Sequence, residues 1–416
     1  MAAAAVYVAL AMHFTLALDE VDWESVATTA RAFDVVFGGD RARLSRIGFA
    51  EPPLPALLQV PVVAAAPHLG TRALAGPLLS ATLAALTCVV LCKLMVETGA
   101  ARWLRWLLLL AFACSPTWVY AAATGLSAAL VCFLALACAL YLVRWAQEGI
   151  LRDLAMCGAI AGTALISHLE AAALAIAVAA AVWVIIWADR GGGWAQVEGT
   201  LITLLLPALA VAAVWAGVCW AIMGDPLHSL RGGAAADRAW LLALETALCA
   251  SLLLWCRWAG TRTQPLLAAV LPTLIAGAMG VVVAGWNGAA PSPWAGYGYL
   301  QPATQDGRTF SDIRSVAWAA TAAAGDGVVL VDSDMAFAVA LASGRPSAFV
   351  SVDPAQPAKA RDELSRATHL LTDRLSAARG AEALDERIRG LLGGRRLEQV
   401  FSVGQWRLFR LDRNVE

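Results

Sequence analysis

Long apolar runs separated by short polar breaks fill the first two thirds of this chain, and shorter alternating units fill the rest. The first run, residues 2–18, is barely long enough to span a bilayer and predicts a first helix with its N-terminus in the cytoplasm. A cleaved signal peptide fits less well, because the run has no basic start and no small-x-small site before Asp19. A polar interval, residues 19–59, follows with seven acids, four arginines and a Pro-Pro pair, longer than a simple connection needs to be. Within it Trp23, Val26, Ala27, Ala30, Phe33 and Phe37 recur three or four apart, which predicts an amphipathic helix lying in the membrane interface. Pro55, Pro61 and Pro67 interrupt the next apolar stretch, which reads as a re-entrant or interfacial helix packed on protein. Spans are then predicted over 72–95, 103–114 and 126–144, with residues 115–125 as an outer turn. The run 154–187 is too long for one span and splits at Ser167–Glu170. A span over 197–222, one returning to Arg257 and Arg262, and one over 265–286 complete a set of about nine.

From residue 288 a Gly/Pro/aromatic linker leads into short alternating units. Helices are predicted near 311–324, 335–342, 358–366 and 384–392, interleaved with the strands VVLVD, SAFVSV and HLLTD and followed by RLEQVFSV and QWRLFRLD. The fold class is therefore an all-α polytopic membrane protein with a small C-terminal α/β domain outside the membrane, the domains being 1–287 and 288–416. The segment VDSD, 331–334, ends a strand where such domains place binding residues, although Ser333 or Asp334 capping the next helix is the simpler reading.

Composition removes the soluble alternatives. The chain is 60% hydrophobic and 15% charged with a mean hydropathy of +0.68, which a soluble domain of 416 residues does not carry. The net charge of −1 says nothing about partners, but the positions of the charges do. Lys93, Arg102, Arg105, Arg144, Arg152, Arg190, Arg257 and Arg262 fall at the inferred cytoplasmic turns. Trp118, Trp145, Trp187, Trp194, Trp258, Trp286 and Trp294 fall at span ends. Arg72, Arg231 and Arg238 break the pattern. All nine cysteines lie in or beside apolar spans, so no disulfide framework is implied, and Cys88 and Cys92 have no His or acid cluster to complete a metal site.

An apolar run followed at once by Asp19-Glu20, an amphipathic helix and GFAEPPLPALL resembles the first outer loop of the GT-C superfamily of membrane glycosyltransferases. That superfamily includes the protein O-mannosyltransferases and the lipid A aminoarabinose transferase. The segment reads AEPPL where those proteins have an EKPPL-like one, so the lysine is replaced. SPTWVYAAATGLSAAL, GTALISHLEAAAL and MGDPLHSL also resemble segments of the family, in the same order. The resemblance covers the membrane part and touches the C-terminal domain only loosely. It implies a multi-helix fold with an outward-facing cavity, a polyprenyl-phosphate sugar donor, inverting transfer of hexosyl or mannosyl type, and an extracytoplasmic glycan, lipid or protein as acceptor. Membrane lipids are the other expected partners, no nucleic acid is expected, and no cofactor or metal is predicted.

The resemblance matches Asp19 to the family's catalytic acid, with Glu20 and Asp22 as neighbours able to take its place. On spacing alone, the simpler reading is that Asp19 and Glu20 are first-turn acids complementing a helix dipole. Glu51 precedes Pro-Pro as the family glutamate does, and orients the acceptor or stiffens the loop. Arg72, His228 and Arg231 sit at outer span ends and are assigned to the donor phosphate, with lipid headgroup contact as the rival use. His168 and Glu170, in a short outer turn, line the same cavity or satisfy each other. Many relatives carry a second acid near the fourth helix, where this chain has Gly125-Leu126-Ser127. A transporter or a non-catalytic membrane scaffold is the competing class, and a degenerate transferase whose C-terminal domain only binds a partner is a third reading; transporters usually show internal repeats and midplane ionisable residues, and the sequence displays neither.

Overall fold

A computed structural model describes residues 2–17, 23–37, 53–65, 72–125, 127–167, 172–189, 194–226, 310–331, 339–340, 342–343, 345, 348–351, 366–373, 397–403 and 406–411. Among the described residues, ten helices fall in the N-terminal part: α1 Ala2–Leu16, α2 Trp23–Phe37, α3 Leu54–Ala65, α4 Ala75–Glu97, α5 Arg102–Ala113, α6 Pro116–Thr124, α7 Ala128–Glu148, α8 Leu151–Leu165, α9 Ala172–Asp189 and α10 Trp194–Met223. A single 3-10 turn, Arg72–Leu74, leads into α4. The C-terminal part contributes α11 Phe310–Ala324 and five strands: β1 Val328–Val331, β2 Phe349–Ser351, β3 Ala367–Asp373, β4 Leu397–Val403 and β5 Trp406–Leu411. The helices and strands expected over 227–309, 335–342, 358–366 and 384–392 lie wholly or mostly outside the described residues.

Among the described residues, three helices are long and apolar enough to cross a membrane: Ala75–Glu97, Ala128–Glu148 and Val197–Ile222, or four if the bent pair α5 and α6 is one span. Helices α1 and α8 have 15 residues each, short of the roughly 20 that a span takes. The split of the long run 154–187 appears as α8 and α9. The expected outer turn at 115–125 is instead helix α6, bent by 54° from α5. Its local chemistry explains the difference: Ser115 caps the helix by accepting the Trp118 N–H at 3.3 Å, Pro116 occupies the first turn, and Gly125 ends it at φ 91°.

The chain forms two compact units, the first of residues 1–11, 44–58 and 78–300, the second of residues 12–43, 59–77 and 301–416. In the first, α7, α8, α9 and α10 share a core of Leu142, Trp145, Leu154, Ala161, Val182 and Leu204. Small residues let α8 approach α10. A Cβ on Gly158 would run into the Leu204 carbonyl, and one on Gly162 would lie 2.7 Å from the Ala208 Cα. Gly158 and Gly162 are four apart, the small-xxx-small spacing that brings apolar helices together by backbone contact. The C-terminal ends of α4 and α7 are tied side by side, because Arg144 donates to Glu97 at 2.6 Å and 2.9 Å and Gln147 donates to the Glu97 carbonyl at 2.9 Å. Tyr7 donates to the Ala113 carbonyl at 2.9 Å and so satisfies an end group of α5.

In the second unit the strand order is β2-β1-β3-β5-β4. Strand β1 runs parallel to β2 and β3, while β5 is antiparallel to both β3 and β4. Parallel neighbours need crossover connections, so the alternation seen in the sequence yields this mixed sheet. Val329, Val331, Leu371, Trp406 and Leu408 pack against Ile313, Val316 and Ala320 of α11. The apolar stripe of α2 enters that same core through Val26, Ala30 and Phe33, and Phe33 stacks on Phe37 at 4.8 Å. Where the stripe was expected to face the membrane interface, Val26, Ala30 and Phe33 are covered by protein, and Ser25, Thr28 and Thr29 beside them are buried as well.

Candidate functional site

Asp19, Glu20, Asp22, Glu51, His168, Glu170, His228 and Arg231 lie outside the described residues. Arg72 is described in its backbone, within the 3-10 turn. What the structure supplies is the frame on which these segments are strung.

Two of the predicted segments are joined at their flanks in the first unit. The Leu54 N–H donates to the Ile166 carbonyl at 3.2 Å. That bond satisfies one of the free carbonyls at the end of α8, just before the break that carries His168 and Glu170, using the first residue of the helix that follows the AEPPL segment. The turn closes with Ser167, buried, donating to the Thr163 carbonyl at 3.0 Å.

In the second unit, the helix after the three acids meets the turn that carries Arg72. Ala73 and Ala75 share the core of Val26, Ala30 and Phe33. Gly76 lies directly against Ser25, and a Cβ there would collide with the Ser25 hydroxyl and sit 3.4 Å from the Gln59 amide. Thr29 bonds both the Ser25 carbonyl and the Gln59 amide at 2.7 Å. The Thr29 hydroxyl is the donor to both, its one proton shared between the Ser25 carbonyl and the Gln59 Oε1. Gln59 is 3% exposed, so this contact is dry and fixes α2 on α3. None of these groups ionises near neutral pH; their capacity is to position the loop ends, not to move protons.

Sequence reasoning did not single out Thr29, Gln59 and Gly76. The signal was present, since Gln59 is the one polar side chain within the apolar stretch 54–66. Among the described residues no group of three or more His, Cys, Asp or Glu is arranged to hold a metal ion. Cys138 and Cys157 face each other on α7 and α8 with their sulfurs 3.1 Å apart, as free thiols. No protein-family model matches the chain, and no curated protein matches it in sequence.

Proposed function

We propose that the chain is an integral membrane glycosyltransferase that moves a sugar from a polyprenyl-phosphate donor to an extracytoplasmic glycan, lipid or protein. In this reading about nine spans cross the bilayer, the N-terminus is cytoplasmic and the α/β domain lies outside. The observation that carries it is the order of the first eighty residues: an apolar run, Asp19-Glu20, an amphipathic helix, AEPPL, and Arg72 at the head of a long apolar helix. The flank contacts support it, because the turn bearing Arg72 packs on the helix after the acids, and the helix after Glu51 bonds the end of the helix before His168.

The chemistry follows from the donor. Its lipid tail stays in the bilayer, so the sugar and acceptor meet at the outer interface. Asp19 takes the proton of the acceptor hydroxyl as its oxygen attacks the anomeric carbon from the face opposite the phosphate. The sugar–phosphate C–O bond breaks with its electron pair leaving on the phosphate, and the configuration inverts. Arg72, Arg231 and His228 stabilise the charge that grows on the leaving phosphate. Membranes containing the protein and a labelled polyprenyl-phosphate sugar, given envelope extract as acceptor, should transfer label beyond an empty-membrane control. Absence of transfer across a panel of donor sugars would remove the proposal.

A further inference from the structure

Cys138 and Cys157 meet across the α7–α8 hairpin, in a core that the proposed chemistry does not use. The two helices are joined by Gly149 and Ile150 alone, and Gly149 makes the sharp turn in the left-handed region at φ 73°. The sulfurs lie 3.1 Å apart, and each thiol reaches the other residue's backbone: Cys138 donates to the Cys157 carbonyl at 3.5 Å and Cys157 to the Cys138 carbonyl at 3.4 Å. Each thiol has one hydrogen. With both hydrogens on carbonyls, no proton stands between the sulfurs, and a bond of about 2.05 Å needs a further approach of about 1 Å. Both residues are 0% exposed, in a cluster with Leu142, Leu154, Ala161, Val182 and Leu204. The cost of leaving water excludes charged reagents from such a core, so an electron acceptor that reaches the pair has to be neutral and apolar. The pair belongs to one hairpin, so local separation of two neighbouring helices is enough to admit it.

We propose that Cys138 and Cys157 form a redox clasp, oxidised by a lipid-soluble quinone to a disulfide that locks α7 onto α8. Both S–H bonds break and one S–S bond forms; the two electrons and two protons pass to the quinone oxygens, giving the hydroquinone. A permeant dithiol reverses the step by exchange and ends as its own disulfide. The disulfide holds the hairpin closed, whereas the reduced pair contributes only two weak S–H bonds to carbonyls. The rival is inert packing, in which two buried thiols serve as small apolar side chains. The clasp does not rest on the transferase reading.

To separate the two, full-length protein in lipid vesicles is exposed to tetramethylbenzoquinone, whose ring carries no hydrogen for a thiol to displace, then unfolded and alkylated with a maleimide. Untreated protein should take nine labels, one per cysteine, and oxidised protein seven, since two thiols are consumed. Non-reducing digestion should give one linked peptide pair carrying Cys138 and Cys157, and dithiothreitol should restore all nine labels. The oxidised wild type should melt at a higher temperature than the reduced protein. Cys138→Ser and Cys157→Ser, each one cysteine short, should hold eight labels with and without quinone and show no such rise. If a serine variant does not fold, the linked peptide and the melting shift of the wild type decide the matter. Nine labels after quinone, absence of the 138–157 linkage, labels that dithiothreitol does not restore, or an unchanged melting temperature in the linked protein would overturn the clasp.

Discussion

Replacing Gly158 by alanine tests the α8–α10 crossing with a single methyl group. The added Cβ is directed at the Leu204 carbonyl, and α10 continues beyond it as unbroken helix through Ala208. Backbone cannot rotate away as a side chain can, so the helices must separate. A gap of about 0.5–1 Å forfeits a quarter to a half of each van der Waals contact it affects, and overpacking of this kind costs about 1–3 kcal/mol. The control lies on the same helix pair: Cβ atoms at Gly199 and Gly217 of α10 meet nothing within 4 Å. There the alanine substitution removes only glycine's poor helix propensity and should be neutral or stabilising by up to about 1 kcal/mol. Denaturant titration in detergent, following the loss of native tryptophan emission, should rank the proteins Gly217→Ala, wild type, Gly158→Ala from most to least stable. A Gly158→Ala protein as stable as the Gly217→Ala protein would mean that α8 and α10 do not cross at this pair.

At the α2–α4 contact, Gly76→Ala should destabilise because the Ser25 hydroxyl occupies the space, and adding Ser25→Ala should recover most of the loss. A double variant no better than Gly76→Ala alone would place Ser25 elsewhere. His369, buried in β3 beside Thr368, is held below its ordinary pKa of 6.5 by burial and then by the charge of Arg410 opposite it. The unfolded chain therefore binds the proton first, and the sheet should lose stability as pH falls below about 6.5, levelling off once the folded-state value is passed. Hydrogen exchange of β3 amides, compared with a His369→Gln protein at each pH, should show this acid-dependent opening only when the histidine is present.

Periodicity made the elements legible where burial is one-sided. The stripe of α2, the break between α8 and α9, and all five strands follow from spacing and from apolar runs of the right length. The partner of an amphipathic helix is another matter, because a stripe looks the same whether lipid or protein covers it. Val26, Ala30 and Phe33 turned out to face a protein core. Pro61 was expected to break its segment, yet α3 runs through it: a proline removes one N–H bond and does not forbid the remaining turns. Ser115-Pro116 read as a turn although the same dipeptide is a strong helix start. For the candidate site, sequence order supplied the ionisable residues. The buried contact of Thr29 and Gln59, which holds the ends of the loop, needed the fold, since the two lie thirty residues apart.

The assignment of Asp19 as the base is the centre of the account, and transfer by an Asp19→Asn protein is the measurement that bears on it most directly. Asparagine keeps the shape and hydrogen bonding but cannot take the acceptor's proton, which should cost roughly 10²- to 10⁴-fold in rate. Glu20→Gln should matter less, since the assignment makes Asp19 the group that takes the proton. A first-turn acid that merely complements the helix dipole would contribute about 0.3–1 kcal/mol of stability and leave turnover unchanged. Turnover of labelled donor in detergent at saturation should collapse in Asp19→Asn while donor binding and folding persist; a near-normal rate in that protein, or collapse in Asp22→Asn instead, would contradict the assignment.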